Sequence, residues 1–279
     1  MNGCVREERA GKVFAVNMML DDKLRRFGFR FGRGGAHGAR TMMLDELRRL
    51  LAFVDDVDAP KEAYVKGIET DNCLGKRSGK TRKITAGHLI ELYSLDPRIA
   101  LFRPLLFFWR RDEEGQPLMA LLCAYARDAI LRMSAPYVLV LEPGERVSRE
   151  ALEKFLDCEQ PGRFSRATLK SIAQNINSTW TQSGHLMGKV KKARARAKAT
   201  PGSTSYALFL GYLEGIRGEA LFSSRYAKLL DCSSERAIEL AEEASRRGWI
   251  VMKRVGKVIE VVFPQFLTKQ EREWTSEQN

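Results

Sequence analysis

A short stretch rich in glycine and lysine is the first part of this sequence whose residue types could do chemistry. Residues 74–83 read LGKRSGKTRK, and the run Gly79, Lys80, Thr81 matches the end of an ATP-binding P-loop. The P-loop pattern is G-x-x-x-x-G-K-[ST], because that loop length wraps backbone N–H groups around the phosphates. Here the earlier glycine is Gly75, one position too late, and the polar residues before it do not have the pattern of a buried strand. The stretch therefore argues against a nucleotide site, and its cations need another role.

No other set of residues in the sequence has the spacing of a catalytic or metal site. His37, His88 and His185 are far apart, and the five cysteines stand singly without a C-x-x-C pair. Neither an H-E-x-x-H pattern, a G-x-S-x-G elbow nor a strand followed by G-x-G-x-x-G stands out. We therefore expect a protein that is not an enzyme, with no catalytic residue, no metal and no cofactor, and with reduced thiols.

Positive charge is concentrated in one part of the chain. The formal net charge is +12, and the 54 residues from Gln160 to Leu213 contain no Asp or Glu. The nine cations of this segment are Arg163, Arg166, Lys170, Lys189, Lys191, Lys192, Arg194, Arg196 and Lys198. So concentrated a positive field attracts polyanions, which are nucleic acid, an anionic membrane surface or an acidic protein.

The apolar segments are too short to cross a bilayer. The longest uninterrupted run, PLMALLCAYA at 117–126, is much shorter than a membrane-spanning helix. It opens a predicted apolar helix over 117–134, which we expect at the centre of the fold. The first residues, MNGCVREERA, are charged and have no apolar segment behind them, unlike a secretory signal. We therefore expect a cytoplasmic protein with no membrane partner.

Composition and periodicity divide the chain into five parts. We interpret 1–40 as a basic Gly/Arg-rich arm that is flexible or an extended loop, and 41–158 as a helical helix-turn-helix-like domain. An amide-rich helix and basic linker occupy 159–202, a winged-helix-like domain 203–267, and a polar tail 268–279. The predicted fold class is therefore mainly α, with a helix-turn-helix-like N-terminal domain and a C-terminal winged-helix-like module that carries a β-hairpin.

The helix-turn-helix prediction rests on three helical patterns in the N-terminal part. The first begins after Thr41, a suitable N-cap, the second covers about 60–70, and the third covers about 80–95. Cations in the first turn of the third helix oppose its macrodipole, which indicates an external anion such as phosphate. The alternative is a solvated face without a partner. The candidate DNA contacts of this patch are Lys76, Arg77, Lys80, Arg82 and Lys83.

A second candidate surface follows in the acid-free segment. Ser165 caps a predicted helix whose apolar stripe includes Leu169, Ile172 and Ile176, and whose other face carries amides and hydroxyls. Such side chains are mediocre helix formers, but they read base edges and phosphate oxygens. The alternative is a polar helix that leads into a solvated basic linker. The candidate DNA contacts here are Asn175, Asn177, Gln182, Lys189, Lys191, Lys192, Arg194 and Arg196.

The C-terminal pattern is three helices followed by a hairpin. The helices are TSYALFLGYLEGIRG, LFSSRYAKLLD and CSSERAIELAEEASRRGW, and two alternating strands meet around Gly256. This order predicts a winged helix. The third helix carries four glutamates, which makes it a poor face for DNA, so either the wing contacts DNA or the module packs against protein. The wing cations are Lys253, Arg254 and Lys257.

Two stretches carry a resemblance to a known family. They are DNCLGKRSGKTRKITAGHLIELYSLDP, at 71–97, and NINSTWTQSGHLMGKVKKAR, at 175–194. With the helical module that follows them, they resemble the BrxA-like proteins of bacterial phage-defence islands such as BREX. The resemblance implies a small, non-enzymatic, helical DNA-binding component that works beside larger methylase, ATPase and phosphatase-like partners.

These observations lead to one preferred function and two alternatives. The preferred hypothesis is a non-enzymatic accessory protein of an anti-phage defence system that binds double-stranded DNA, mainly through phosphate contacts. The first alternative is a transcription regulator that uses the winged helix on a defined operator. The second is a protein–protein adaptor whose basic face docks a partner within a larger defence complex.

Overall fold

The computed structural model of the protein describes residues 21–256 and 258–276, which form a mainly helical fold with two small antiparallel sheets. This confirms the prediction of a mainly α protein. The described chain starts in a helical segment at 21–26 (α1), and a 3₁₀ turn follows at Ala36–Gly38. The next helices are α2 (Leu44–Phe53), α3 (Lys61–Glu69), α4 (Gly79–Tyr93), α5 (Phe102–Trp109), α6 (Gln116–Arg127) and α7 (Ala129–Leu139).

The second half of the chain contains both sheets. In order, its elements are β1 (Arg146–Val147), α8 (Arg149–Glu159), α9 (Arg166–Gln182), β2 (Leu186–Met187), β3 (Lys192–Arg194), α10 (Pro201–Leu213), a 3₁₀ segment (Gly218–Ser223), α11 (Arg225–Lys228), α12 (Ser234–Arg246), β4 (Val251–Val255), β5 (Val258–Val262) and α13 (Lys269–Ser276). The first sheet has the order β1-β3-β2, and the second is the predicted hairpin, β4 with β5. The basic linker of the sequence interpretation is therefore in part a hairpin, β2 with β3.

Serine caps start several of the helices where the sequence places them. Ser148, Ser165 and Ser233 each accept a hydrogen bond from the backbone N–H three residues later, which satisfies one of the unpaired donors of the first turn. Thr41 does not cap α2. Met43 precedes that helix in the left-handed region, with φ 54°, so the helix starts later than its sequence pattern indicates.

The predicted continuous helix over 117–134 is interrupted at Asp128. Its backbone is extended, with φ −124° and ψ 113°, and its carboxylate accepts hydrogen bonds from the N–H groups of Ile130 and Leu131, both at 2.9 Å. These bonds cap α7 and separate it from α6. The apolar periodicity continues across the break, so only the capping chemistry of Asp128 could have indicated it.

His37 joins the N-terminal segment to this cap and to α9. Its Nδ1 lies 2.9 Å from Asp128 Oδ2, its Nε2 lies 2.9 Å from Thr179 Oγ1, and all three side chains are fully buried. Burial alone would raise the pKa of Asp128, but the interaction with His37 and the N–H donors around the carboxylate hold that pKa below its usual value. Since solvent does not reach these groups, we interpret the cluster as a structural clamp.

A single cluster of buried apolar side chains extends from Leu24 to Leu267. Its centre is formed by α6 and α10, which are buried on nearly every side. Phe27 and Phe29 also belong to it, so these residues of the predicted arm pack into the core. Residues 1–20 of the arm lie outside the described part, and its predicted flexibility stays a prediction. The core runs through both predicted domains, and their boundaries stay a prediction. Across 21–256 and 258–276, each helix is too short or too polar to span a membrane.

The close approach of Gly35 to Asp128 gives a test of the clamp. A Cβ atom at Gly35 would overlap the Asp128 carboxylate, whereas a Cβ at Gly34 would meet nothing within 4 Å. We expect Gly35→Ala to lower the free energy of unfolding by about 1–3 kcal/mol, because the buried network must shift. Gly34→Ala is the matched control. Equal stability of the two variants in urea denaturation would contradict this role of the clamp.

Candidate nucleic-acid interface

A groove of about 530 Å³ lies where the start of α8, the middle of α9 and the β2–β3 hairpin meet. Serine-capped α8 and α9 are joined by the short connection 160–165 and pack against each other, which brings the start of α8 beside the later turns of α9. The groove is lined by Arg146, Val147, Ser148, Arg149, Glu150, Gln174, Asn177, Lys189, Val190, Lys191 and Lys192.

Pairing of β3 with both neighbouring strands holds the hairpin over the groove. Ala193 pairs with Arg146 in β1 and with Met187 in β2. The turn depends on Gly188, whose φ is 96° and whose added Cβ would overlap the carbonyl oxygen of Lys191. The tip therefore presents Lys189, Val190 and Lys191 to solvent.

The cations of the groove fall into two classes. Arg146, Lys189 and Lys191 are exposed, and their side chains have no hydrogen-bond or ion-pair partner within the described ranges. Lys192 instead donates to Thr181 Oγ1 at 2.8 Å and to the Gly188 carbonyl at 3.1 Å, and burial lowers its pKa. The unpaired cations are the ones available to an external anion.

Arg149 and Glu150 offset each other at the start of α8. The guanidinium of Arg149 lies 2.6 Å from Glu150 Oε1 and 2.8 Å from Glu153 Oε1. The pKa of Glu150 is lowered first by the hydrogen bond from its own backbone N–H, and then by Arg149 and Lys170. One carboxylate thus stands among the cations of the groove.

Asn177 lies at the inner side of the groove. Its side chain is buried, with 5% of the residue exposed, and its Oδ1 has no hydrogen-bond partner in the part of the chain that the structure describes. Gln174, one turn earlier on α9, is exposed and lines the same groove. The predicted amide face of α9 therefore reaches the groove through Asn177 and through Gln174, which the sequence analysis did not select.

Two other predicted amides have structural contacts instead. Gln182 Oε1 accepts the N–H of Leu44 at 3.3 Å, so it supplies the helix-capping bond that Thr41 was expected to supply. Asn175 Nδ2 donates to the carbonyl of His37 at 3.2 Å. Both amides connect α9 to the N-terminal segment and are half-buried, so part of their hydrogen-bonding capacity is used within the protein. The polar side chains of Gln182 and Asn175 led to the prediction of an interface, because their partners, Leu44 and His37, lie far away in the sequence.

Arg194 is likewise committed to the interior. It is 4% exposed and makes a bidentate pair with Asp231, with N–O distances of 2.8 Å and 2.7 Å. Burial alone would raise the pKa of Asp231, but the hydrogen bonds from Arg194 and from the N–H of Ala197 hold it below its usual value. We therefore correct Arg194 from a predicted DNA contact to an anchor of the hairpin. Arg196 is exposed beside this pair.

The first predicted patch lies at the start of α4 and is partly neutralised. Lys76 Nζ is 3.0 Å from Glu46 Oε1 in α2, so this lysine joins two elements. Arg82 is half-buried. The exposed cations of the patch are Arg77, Lys80 and Lys83.

The predicted wing also carries compensated charges. Lys253 Nζ lies 3.7 Å from Glu260 across the hairpin, and Arg254 lies 3.4 Å from Glu242 in α12. These contacts are exposed, so each contributes little to stability, but they reduce the positive field of the wing. Lys257 lies outside the described residues.

Arg146 was missed because it lies in a region that has the pattern of an ordinary helix flank, whereas Lys170 was counted among the cations of the acid-free segment but was not selected as a DNA contact. Arg146 stands in PGERVSRE, where acids balance the cations, and only the pairing of β1 with β3 brings it to the hairpin. Lys170 is four residues before Gln174 on α9, a spacing that places both on one helix face. That spacing could have been read from the sequence.

No protein-family model matches the chain, and no curated protein is significantly similar to it in sequence. Within 21–256 and 258–276, the structure contains no group of three or more His, Cys, Asp or Glu side chains arranged to hold a metal ion.

The anchor role of Arg194 predicts a difference between two neighbouring arginines. We expect Arg194→Ala to lower the free energy of unfolding by about 3–5 kcal/mol, because it leaves the partly buried Asp231 carboxylate without its pair. Arg196→Ala removes the same charge from an exposed position and should change stability by less than about 0.5 kcal/mol. Urea denaturation measures both, and similar values for the two variants would contradict the anchor role.

His185, at the base of the hairpin, predicts a loss of stability in mild acid. It is fully buried, its Nε2 lies 3.1 Å from the Leu229 carbonyl, and burial lowers its pKa from 6.5 to about 4. Folding therefore favours the neutral ring. The contribution of the neutral ring to the free energy of unfolding is fully present above pH 6.5. It declines as the pH falls below that value and is lost as the pH falls through 4, and the total loss is roughly 3 kcal/mol.

The test compares urea denaturation of the wild type and of His185→Gln between pH 7 and pH 4. The variant has no titrating ring at this position, so we expect its stability to fall less steeply over that interval. Parallel pH profiles for the two proteins would show that the ring does not control the acid sensitivity.

Proposed function

We propose that this protein is a non-enzymatic DNA-binding accessory protein that holds double-stranded DNA mainly through phosphate contacts. The observation that carries the proposal is the display of three cations, Arg146, Lys189 and Lys191, that have no partner among the described residues and lie around one groove between the start of α8 and the acid-free segment. Phosphate contacts of this kind release counterions and supply most of the affinity of non-specific DNA binding.

The internal anchoring of the hairpin supports this proposal. Arg194 donates to Asp231 and Lys192 donates to Thr181, so both residues hold the strand from which the tip projects. The charges of the tip lysines, Lys189 and Lys191, have no hydrogen-bond or ion-pair partner within 21–256 and 258–276. A rigid support for exposed cations reduces the ordering entropy that binding would otherwise cost.

The defence-related part of the proposal rests on the BrxA-like resemblance. On that basis the protein acts in the cytoplasm of a bacterium, in an anti-phage system of the BREX kind, beside other proteins of that system. In the same proposal, α2–α4 serve as a helix-turn-helix-like unit whose exposed cations Arg77, Lys80 and Lys83 add phosphate contacts.

A winged-helix transcription regulator is the second candidate. The observation that favours it is the order of α10, α11, α12 and the β4–β5 hairpin, which is the order of a winged helix. Against it, Lys253 and Arg254 already pair with glutamates, and α12 carries four glutamates of its own. This candidate predicts a defined operator sequence rather than uniform affinity.

The test is fluorescence anisotropy with a duplex of arbitrary sequence over a series of salt concentrations. We expect the wild type to bind with micromolar or tighter affinity, and with a steep dependence on salt. Replacing both Lys189 and Lys191 by Ala should weaken binding to every sequence alike and lower the salt slope by about two. The matched control replaces Lys154 and Lys269, which are exposed, carry the same charge and do not line the groove.

Three outcomes would count against the proposal. If the Lys189/Lys191 variant and the Lys154/Lys269 control lose equal affinity for duplex DNA, only the net charge of the protein matters. Sequence-dependent binding that is lost on replacing Lys253 and Arg254 would favour the regulator. An absence of binding at low salt would favour the adaptor hypothesis, in which the basic face meets a protein partner.

A further inference from the structure

We propose that α7, α8, α9 and the β2–β3 hairpin act as a winged helix, in which the exposed face of α9 enters the major groove of duplex DNA and the hairpin tip lies on the neighbouring backbone. This docking rests on the proposed function, because it names the element that meets DNA and the DNA groove that it enters. The juxtaposition that carries it is an exposed, acid-free face of α9 beside a hairpin tip that displays Lys189 and Lys191.

The order of the elements from α7 to β3 is that of a winged helix. Three helices are followed by a hairpin, which is the order that the sequence predicted farther along the chain. Here a short strand, β1, precedes α8 and pairs with β3, so the hairpin belongs to a three-stranded sheet of order β1-β3-β2. The middle helix, α8, packs against α7 and α9, and α9 packs against β2. The sheet therefore holds the hairpin beside α9.

One face of α9 is buried, and the other is open to solvent. Its apolar stripe, which includes Leu169 and Ile172, lies in the core. Arg166, Lys170 and Gln174 are exposed and follow one another at intervals of four residues, so they form one row along the helix. The other exposed side chains in this half of the helix are those of Ala167, Thr168 and Ser171. The open face thus carries cations, hydroxyls and an amide.

The size and chemistry of this face suit the major groove of DNA. A helix with its side chains is about 10–12 Å across, and the major groove is about 12 Å wide. Arginine and lysine donate to guanine there, and the amide of glutamine pairs with adenine. Arg166 is the first residue of α9, and a recognition helix contacts base edges with its N-terminal residues. The row therefore lies in the part of the helix that reads DNA in this class of motif.

The row on α9 adjoins the groove between α8, α9 and the hairpin. Gln174 lines this groove together with the tip lysines and Arg146. The pKa of Glu150, another lining residue, is lowered first by its own backbone N–H and also by Lys170, so Lys170 lies near the start of α8. With α9 in the major groove, one DNA backbone passes over the protein groove, where the tip lysines and Arg146 meet its phosphates.

The charge of the two helical modules decides which one meets DNA. The third helix of the C-terminal module, α12, carries four glutamates, and its wing cations Lys253 and Arg254 pair with Glu260 and Glu242. The corresponding helix here, α9, contains no Asp or Glu. A duplex is attracted to a positive surface and repelled by a negative one. Charge complementarity therefore favours the module that ends at β3.

The experiment compares two duplexes of one sequence that differ only in the major groove. In the second duplex, each cytosine is replaced by glucosylated 5-hydroxymethylcytosine, whose sugar fills the major groove and leaves the phosphates and the minor groove unchanged. In fluorescence anisotropy with the full chain, we expect about tenfold weaker binding to the second duplex, because the sugar obstructs α9. Replacing Lys189 and Lys191 by Ala should weaken binding to both duplexes and keep this preference, since that change affects phosphate contacts.

A matched pair of variants tests α9 itself. Gln174→Glu and Gln270→Glu each replace an exposed helical amide by a carboxylate of the same shape, so neither change puts the fold at risk. Gln174→Glu brings a negative charge to the proposed DNA contact. We expect about tenfold weaker binding to the unmodified duplex and a loss of the difference between the two duplexes. Gln270→Glu, in α13, should stay within about twofold of the wild type in both respects.

The failure of this docking differs from the failure of the proposed function. Equal affinity of the wild type for the two duplexes would overturn the docking of α9 in the major groove. Equal effects of Gln174→Glu and Gln270→Glu would also overturn it. In both cases the DNA-binding proposal stands, because the duplex still binds. If neither duplex binds at low salt, the proposed function fails and the docking fails with it.

Discussion

The buried pair between Arg194 and Asp231 is the contact on which the candidate interface depends. Arg194 ends β3, and its guanidinium joins that strand to the loop before α12, while His185 joins the base of the same hairpin to the end of α11. The hairpin is only a few residues long, and short two-stranded ribbons have little stability of their own. Its position over the groove therefore comes from its pairing with β1 together with these two contacts with the C-terminal module.

This anchoring explains how an acid-free segment with nine cations can fold. The segment has no carboxylate of its own, so its buried arginine takes one from Asp231, which lies after the segment ends. Partners from elsewhere in the fold thus neutralise some of the charge and leave the rest exposed. The sequence shows only the total positive charge of the segment. Tertiary contacts decide that Arg194 and Lys192 have partners inside the protein and that Lys189 and Lys191 are exposed.

Local chemistry made much of the fold predictable. The mainly helical class, the serine caps of α8, α9 and α12, and the hairpin around Gly256 follow from residue types and spacing over a few positions. The predictions were wrong where a residue distant in sequence supplies a hydrogen bond. Gln182 accepts the capping hydrogen bond of α2 in place of Thr41. Part of the predicted linker forms a hairpin because β1 pairs with β3. At the site, the hairpin lysines and Asn177, which the sequence predicted as DNA contacts, line one groove, and their contact with DNA stays a prediction. Arg146 reaches the same groove only through the strand pairing.

The clamp formed by His37, Asp128 and Thr179 has a consequence for the time course of folding during synthesis. Thr179 follows His37 by 142 positions along the chain, and His37 cannot complete its contacts before Thr179 has left the ribosome. At a synthesis rate of about 5–20 residues per second, this interval is roughly 7–28 s. For that time Phe27 and Phe29 have no finished core to enter, so the aromatic side chains of the nascent N-terminal segment stay unpacked until the later helices emerge.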